Sequence, residues 1–171
     1  SLVTLPTAFA EEGDLFSDNF ESWGEVGTTI PSGGGTEWDA NYGPVVVGTD
    51  PLNPDNKVAE YVASEGQQYP PLHKKVAMAV GTTTLFSGRV MLHPTANSVP
   101  NYYLQFRNSV DGSAGHWQII FGINTDRITL MDGQDSYGKA VADKWISYAA
   151  YITPGLEGQV TKILIVLTSE D

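Results

Sequence analysis

The chain has 171 residues, of which 41% are hydrophobic, and these values fit one folded domain with its own core rather than a disordered segment. It contains no cysteine, which excludes a disulfide framework and a thiolate metal site. Its net charge of −11 argues against nucleic acid or an anionic membrane surface as a partner.

The first ten residues form an apolar strip that ends in Ala8-Phe9-Ala10 and is followed by an acidic run. This order is typical of a signal-peptide cleavage site and predicts a secreted, extracellular protein. A second interpretation is that the strip is a structural strand that is donated to a neighbouring copy. We therefore separate an N-terminal segment, residues 1–14, from the rest, and its candidate assembly residues are Leu2, Val3, Leu5 and Phe9.

After this segment, apolar residues alternate over many short stretches that are separated by turn residues. The predicted strands cover residues 15–23, 45–47, 58–63, 75–80, 82–92, 102–108, 117–123, 127–131, 145–153 and 160–168. Asp111-Gly112 and Asp132-Gly133 are strong turn signals, and the best helical candidate, residues 137–144, is too short to count. This pattern predicts an all-β chain with a two-sheet antiparallel β-sandwich (jelly roll) over residues 15–171. Outside the N-terminal strip, no apolar stretch of the sequence approaches the length of a membrane-spanning helix.

The order of several segments is familiar. They read DNFESW from Asp18, FSGRVML from Phe86, YYLQFRN from Tyr102, HWQIIFGI from His116, DRITLMDG from Asp126 and KWISYAAYI from Lys144. This order resembles the concanavalin A-like lectin/glucanase superfamily, which includes laminin-G-like domains, many carbohydrate-binding modules, and some glycosidases and lyases. Such domains commonly end with a further strand of the YVDNV type, and none follows Thr168 here. We therefore expect one unpaired sheet edge.

Acidic residues are concentrated at the start of the chain, where ten of the 20 precede Lys57, the first basic residue. They form either a solvated acidic face or a cation site. Members of the superfamily often hold an ion near the opening strand, so the resemblance supports the second choice. We predict a weak structural Ca²⁺ site that uses Asp14, Asp18 and Glu21.

No catalytic residues are predicted. The glucanases of the superfamily have a Glu-x-Asp-x-x-Glu strand, which is missing from this sequence. The lyase branch uses a Gln-x-His strand, and His116-Trp117-Gln118 has the opposite order. We therefore predict that the protein is not an enzyme.

Aromatic residues are the best candidates for ligand binding, because their rings can stack on the apolar faces of sugars. The candidates are Trp38, Tyr42, Tyr69, Tyr102 and Trp117. For any single one of them, packing in the core is the competing interpretation. Trp38 is the strongest candidate because its neighbours are polar.

Three functions follow from these patterns. The first is a secreted, non-catalytic carbohydrate-binding (lectin-like) module whose partner is a polysaccharide or glycan. The second is a self-assembling subunit of an extracellular filament or surface layer, in which the N-terminal strand adds to the sheet of a neighbouring copy. The third, a glycosidase or lyase active on polysaccharides, requires paired carboxylates in a cleft.

Overall fold

The computed structural model describes residues 16–31, 38, 40–41, 45–61, 72–93, 102–107, 118–124, 128–130, 138–156 and 159–170. These residues contain ten β-strands and no helix, and every strand pairing among them is antiparallel. The prediction of an all-β chain is therefore confirmed. No helix that could cross a membrane occurs in this part of the chain. The described residues fall into two compact units.

The first unit contains the described residues up to 61 together with residues 72–77. Its strands are β1 (Ala40–Asn41), β2 (Val45–Asp50), β3 (Asn53–Tyr61) and β4 (Leu72–His73). β1 pairs with β4, and β2 pairs with β3. Residues 27–30 follow the first half of β2, since Ile30 N donates to Val45 O and Val47 N donates to Thr28 O.

The β2–β3 hairpin turns at Pro51-Leu52, and the buried side chain of Asp50 closes it. The Asp50 carboxylate accepts hydrogen bonds from the Leu52 backbone N–H at 2.9 Å and from the Asn56 side-chain amide at 3.1 Å. An aspartate that binds the backbone two residues ahead in this way fixes a tight turn. β3 therefore begins at Asn53, five residues before the predicted strand.

The second unit contains residue 78 onward, apart from the residues outside the described ranges. Its strands are β5 (Thr84–Met91), β6 (Tyr102–Arg107), β7 (Gln118–Ile123), β8 (Ile128–Leu130), β9 (Trp145–Thr153) and β10 (Lys162–Ser169). They form two three-stranded sheets, with the orders β10-β9-β5 and β6-β7-β8. Side chains from both sheets meet in one hydrophobic cluster, which includes Val90, Leu104, Ile123, Ile128 and Ile146.

Two of the predicted strands do not form in the described residues. Residues 16–23 lie in turns and bends instead, because the Asp18 carboxylate accepts the Phe20 backbone N–H at 2.8 Å and Phe20 adopts a φ of 63°. Such local hydrogen bonds compete with a sheet ladder. Residues 75–79 are also outside any strand, and β5 begins only at Thr84, after the turn at Gly81.

Candidate functional site

The carboxylate of Asp18 organises the aromatic residues of the first unit. Its Oδ2 atom accepts hydrogen bonds from the indole N–H groups of Trp23, at 2.8 Å, and Trp38, at 2.6 Å. Its Oδ1 atom accepts the backbone N–H of Phe20. Both indoles pack against the small core of Ile30, Val45 and Val47. Asp18, one of the predicted calcium ligands, therefore satisfies the indole N–H groups of both rings.

Trp38, the strongest sugar-binding candidate, has further aromatic neighbours. Its ring stacks on Phe20 with a centroid distance of 6.1 Å and meets the edge of Phe16 at 5.1 Å. One face of the indole is thus used for packing. The backbone of Tyr102 lies in β6, and the other three candidates, Tyr42, Tyr69 and Trp117, lie outside the described residues. Sugar binding by these five residues stays a prediction.

The predicted calcium ligands do not come together in the part of the chain that is described. Glu21 Oε1 accepts the backbone N–H of Lys57 at 2.8 Å, whereas Asp18 is bound to indoles, and Asp14 lies outside the described residues. No group of three metal-ligating side chains occurs among the residues that are described. The Lys57 ammonium group itself donates to Gly24 O at 2.8 Å. A cationic group therefore lies against the acid-rich segment at the start of the chain. Calcium binding stays a prediction.

The strongest candidate surface is on the second unit. Side chains alternate across the β10-β9-β5 sheet, and one side faces the hydrophobic cluster while the other, which we call the outer face, does not. The outer face consists of Leu85, Ser87, Arg89, Met91, Trp145, Ser147, Ala149, Tyr151, Thr153, Lys162, Leu164, Val166, Thr168 and Glu170.

The middle of the outer face is apolar and exposed. Leu164 lies opposite Tyr151, and Tyr151 lies opposite Leu85, so the three form one row across the sheet. Their exposed fractions are 60%, 40% and 52%. Val166, also exposed, lies one step along β10 from this row. Isolated exposed apolar residues are ordinary, but a contiguous group of them indicates a contact surface.

One end of the outer face is polar and held in place. Arg89 binds the Glu170 carboxylate with two nitrogens, at 2.8 and 2.5 Å, and Ser147 Oγ donates to the same carboxylate at 2.8 Å. The Arg89 guanidinium lies 4.7 Å from the centre of the Trp145 ring. This end supplies fixed charges beside the apolar row.

Comparison with family models, with curated proteins and with solved structures finds no match to this chain. The N-terminal assembly residues Leu2, Val3, Leu5 and Phe9 lie outside the described residues.

Sequence reasoning did not single out the outer face, although its signal is present. β9 and β10 are apolar at both odd and even positions, as in the run Ile163 to Leu167. A sheet with one solvated face normally shows polar residues at every second position. In the β10-β9-β5 sheet, apolar residues also occupy the face that is not covered by the hydrophobic cluster.

Proposed function

We propose that this chain is a non-catalytic, extracellular assembly domain that associates with further copies of itself through the β10-β9-β5 sheet. One observation supports this above the others, namely the exposed row of Leu164, Tyr151 and Leu85 on the outer face. Contact with a second protein surface would remove this apolar area from water, which favours association.

The chemistry of the row favours a protein partner over a sugar. Sugar sites use aromatic rings as platforms, together with polar groups that bind the hydroxyls. Here the exposed groups are mostly aliphatic, and Tyr151 is the one ring among Leu85, Leu164 and Val166. Branched aliphatic side chains pack well against similar side chains of another sheet.

We infer that the two three-stranded sheets belong to an antiparallel sandwich of the jelly-roll kind, as the resemblance to the concanavalin A-like superfamily implies. Support comes from the cluster that draws Val90 and Ile146 from one sheet and Leu104 and Ile123 from the other. The export-type N-terminus supports a secreted protein. Donation of that segment to a neighbour is the filament form of the same proposal.

The test is the association state of the full chain, measured by sedimentation between micromolar and millimolar concentrations. Leu164→Ser should weaken association at least several-fold, because it removes the end of the exposed row. Leu52→Ser is the matched control, since Leu52 is also 60% exposed but lies in the β2–β3 turn. A chain that stays monomeric throughout this range would refute self-assembly.

Carbohydrate binding is the second candidate, and the exposed ring of Tyr151 favours it. The ring lies between aliphatic neighbours on a sheet surface, where a flat polysaccharide could stack on it. Depletion assays with insoluble polysaccharides test this. If a glycan binds there, Tyr151→Ala should abolish binding and Tyr151→Phe should retain it. Equal binding by both variants would exclude this site.

A further inference from the structure

Strand β10 forms one edge of the β10-β9-β5 sheet and pairs only with β9 among the described residues. Its sequence from Ile163 to Leu167 is entirely apolar, and no charged residue lies between Lys162 and Glu170. Edges of this kind are templates for pairing with another chain unless charges or prolines protect them. The opposite edge, β5, contains Gly88 and Arg89, which make it a poorer template.

The backbone direction at this edge follows from the pairing with β9. Ser169 lies opposite Ile146, and the next backbone N–H, that of Glu170, donates to Trp145 O at 3.0 Å. In an antiparallel pair, residues that exchange hydrogen bonds alternate with residues that do not. The even-numbered residues of β10 therefore direct their N–H and C=O groups at β9. The odd-numbered ones direct them away from β9, namely Ile163, Ile165, Leu167 and Ser169.

We propose that two copies pair through their β10 strands, antiparallel and about a two-fold axis at Val166, and so join their sheets into one. This inference rests on the proposed function and adds a contact along the edge of the same sheet. In this register Ile165 lies opposite Leu167 of the second copy, and Ile163 lies opposite Ser169. All four outward-directed residues of both strands are then hydrogen-bonded. A shift by two residues in either direction leaves one of them without a partner within the strand.

Charge selects the same register. When Val166 lies opposite its copy, Lys162 of each chain lies opposite Glu170 of the other, on the outer face. Oppositely charged residues that face each other across strands stabilise a sheet, and like charges destabilise it. The Glu170 carboxylate is already held on this face by Arg89 and Ser147, so little further ordering is needed. The edge is thus complementary to itself in both hydrogen bonding and charge.

The arrangement also extends the exposed row of the outer face. Leu164 of one copy lies opposite Thr168 of the other, and the two Val166 side chains lie side by side. Edge pairing makes an isologous contact, which closes at two copies. Further contacts through the outer face or through the N-terminal segment would then link such pairs into larger assemblies.

A cysteine scan tests the register, because the chain has no cysteine of its own. In a non-hydrogen-bonded pair the Cα atoms are about 4.5 Å apart, within the range of a disulfide. Val166→Cys should therefore form a disulfide-linked dimer under mild oxidation. Leu164→Cys is the matched control on the same face of the same strand. Its copies would lie four residues out of register, roughly 13 Å apart, and should not link.

A second measurement tests the charges. Lys162→Glu turns two attractive cross-strand pairs into two repulsive ones. In buffer of low ionic strength we therefore expect a roughly tenfold higher dimer Kd, measured by sedimentation. Lys139→Glu makes the same charge change at an exposed position outside the strands and should leave the Kd nearly unchanged.

The outcomes separate the two proposals. Self-association without preferential linking through Val166→Cys would overturn this register and leave the proposed function standing. A neighbour's N-terminal strand on β10 would give that result. Absence of self-association at any concentration would overturn both proposals. Selective linking through Val166→Cys, together with sensitivity to Lys162→Glu, would establish the pairing.

Discussion

The two faces of the β10-β9-β5 sheet are built from similar residues in opposite surroundings. On β9, Ile152 is 1% exposed on the inner face, while its neighbour Tyr151 is 40% exposed on the outer face. On β10, Ile163 and Ile165 are half-buried, whereas Leu164 and Val166 are exposed. The two faces thus have a similar content of apolar residues, but only the inner face is covered by other described parts of the protein. An apolar side chain stabilises the fold only where it is covered, and elsewhere it is available for a partner.

The largest effect should come from matched truncations on the two faces. Ile152→Ala should lower the free energy of unfolding by about 2–5 kcal/mol, since it leaves a cavity in the covered layer. Leu164→Ala should change it by no more than about 0.5 kcal/mol, as is usual for surface substitutions. Urea unfolding at a concentration low enough to keep the chain monomeric measures both. Equal losses would show that the outer face is part of the folded core.

The Asp18 cluster of the first unit sharpens the comparison, because there a polar group is the covered element. Asp18→Ala leaves two indole N–H groups and the Phe20 N–H without their acceptor. We expect a loss of about 2–3 kcal/mol, since hydrogen bonds to a charged acceptor are the strong ones. Asn19→Ala is the control, because its side chain accepts one exposed backbone N–H at 3.2 Å. A loss as small as that of the control would mean that water replaces the carboxylate.

Alternation predicted the strands of the second unit well, and β9 has the bounds that its pattern indicates. The opening residues 16–23 were predicted as a strand from the same kind of pattern, but side-chain hydrogen bonds from Asp18 decided their conformation. Period alone could not reveal this, because the second indole bound to Asp18 comes from Trp38, twenty residues away. The outer face was overlooked for a related reason. The sequence places apolar residues on both faces of β10, but strand pairing and burial are needed to show which face remains uncovered.

The phenol of Tyr148 gives a smaller effect that depends on pH. Burial raises the pKa of Tyr148 on the inner face above its usual value of about 10. The unfolded chain therefore loses this proton at lower pH than the folded chain. The stability contribution is complete below about pH 10 and falls as pH rises toward the folded pKa, by at most about 1.4 kcal/mol per pH unit.

Unfolding at several pH values between about 9 and 11.5 measures this slope. Tyr148→Phe should reduce it, because no proton remains to be released at that position. Tyr151→Phe removes a phenol from the outer face and serves as the control. If the two variants have the same alkaline slope as the wild type, the inner phenol does not couple folding to pH.

The smallest effect concerns the ion pair at the polar end of the outer face. Arg89 and Glu170 form a bidentate ion pair, but their side chains are 42% and 30% exposed, so solvent screens the interaction. A double-mutant cycle with Arg89→Ala and Glu170→Ala should give a coupling energy of about 0.5 kcal/mol, which fades in about 1 M salt. The cycle cancels the separate loss of the contact between Arg89 and Trp145.

The double-mutant cycle must be measured on monomers, because Glu170 also faces Lys162 of a second copy in the proposed pair. A coupling above about 2 kcal/mol that persists in high salt would contradict the comparison, since an interaction that strong would require a covered site. A small coupling energy that salt weakens would mean that Arg89 and Glu170 form a solvent-exposed ion pair. Such a pair is available to orient a partner and contributes little to the stability of the fold.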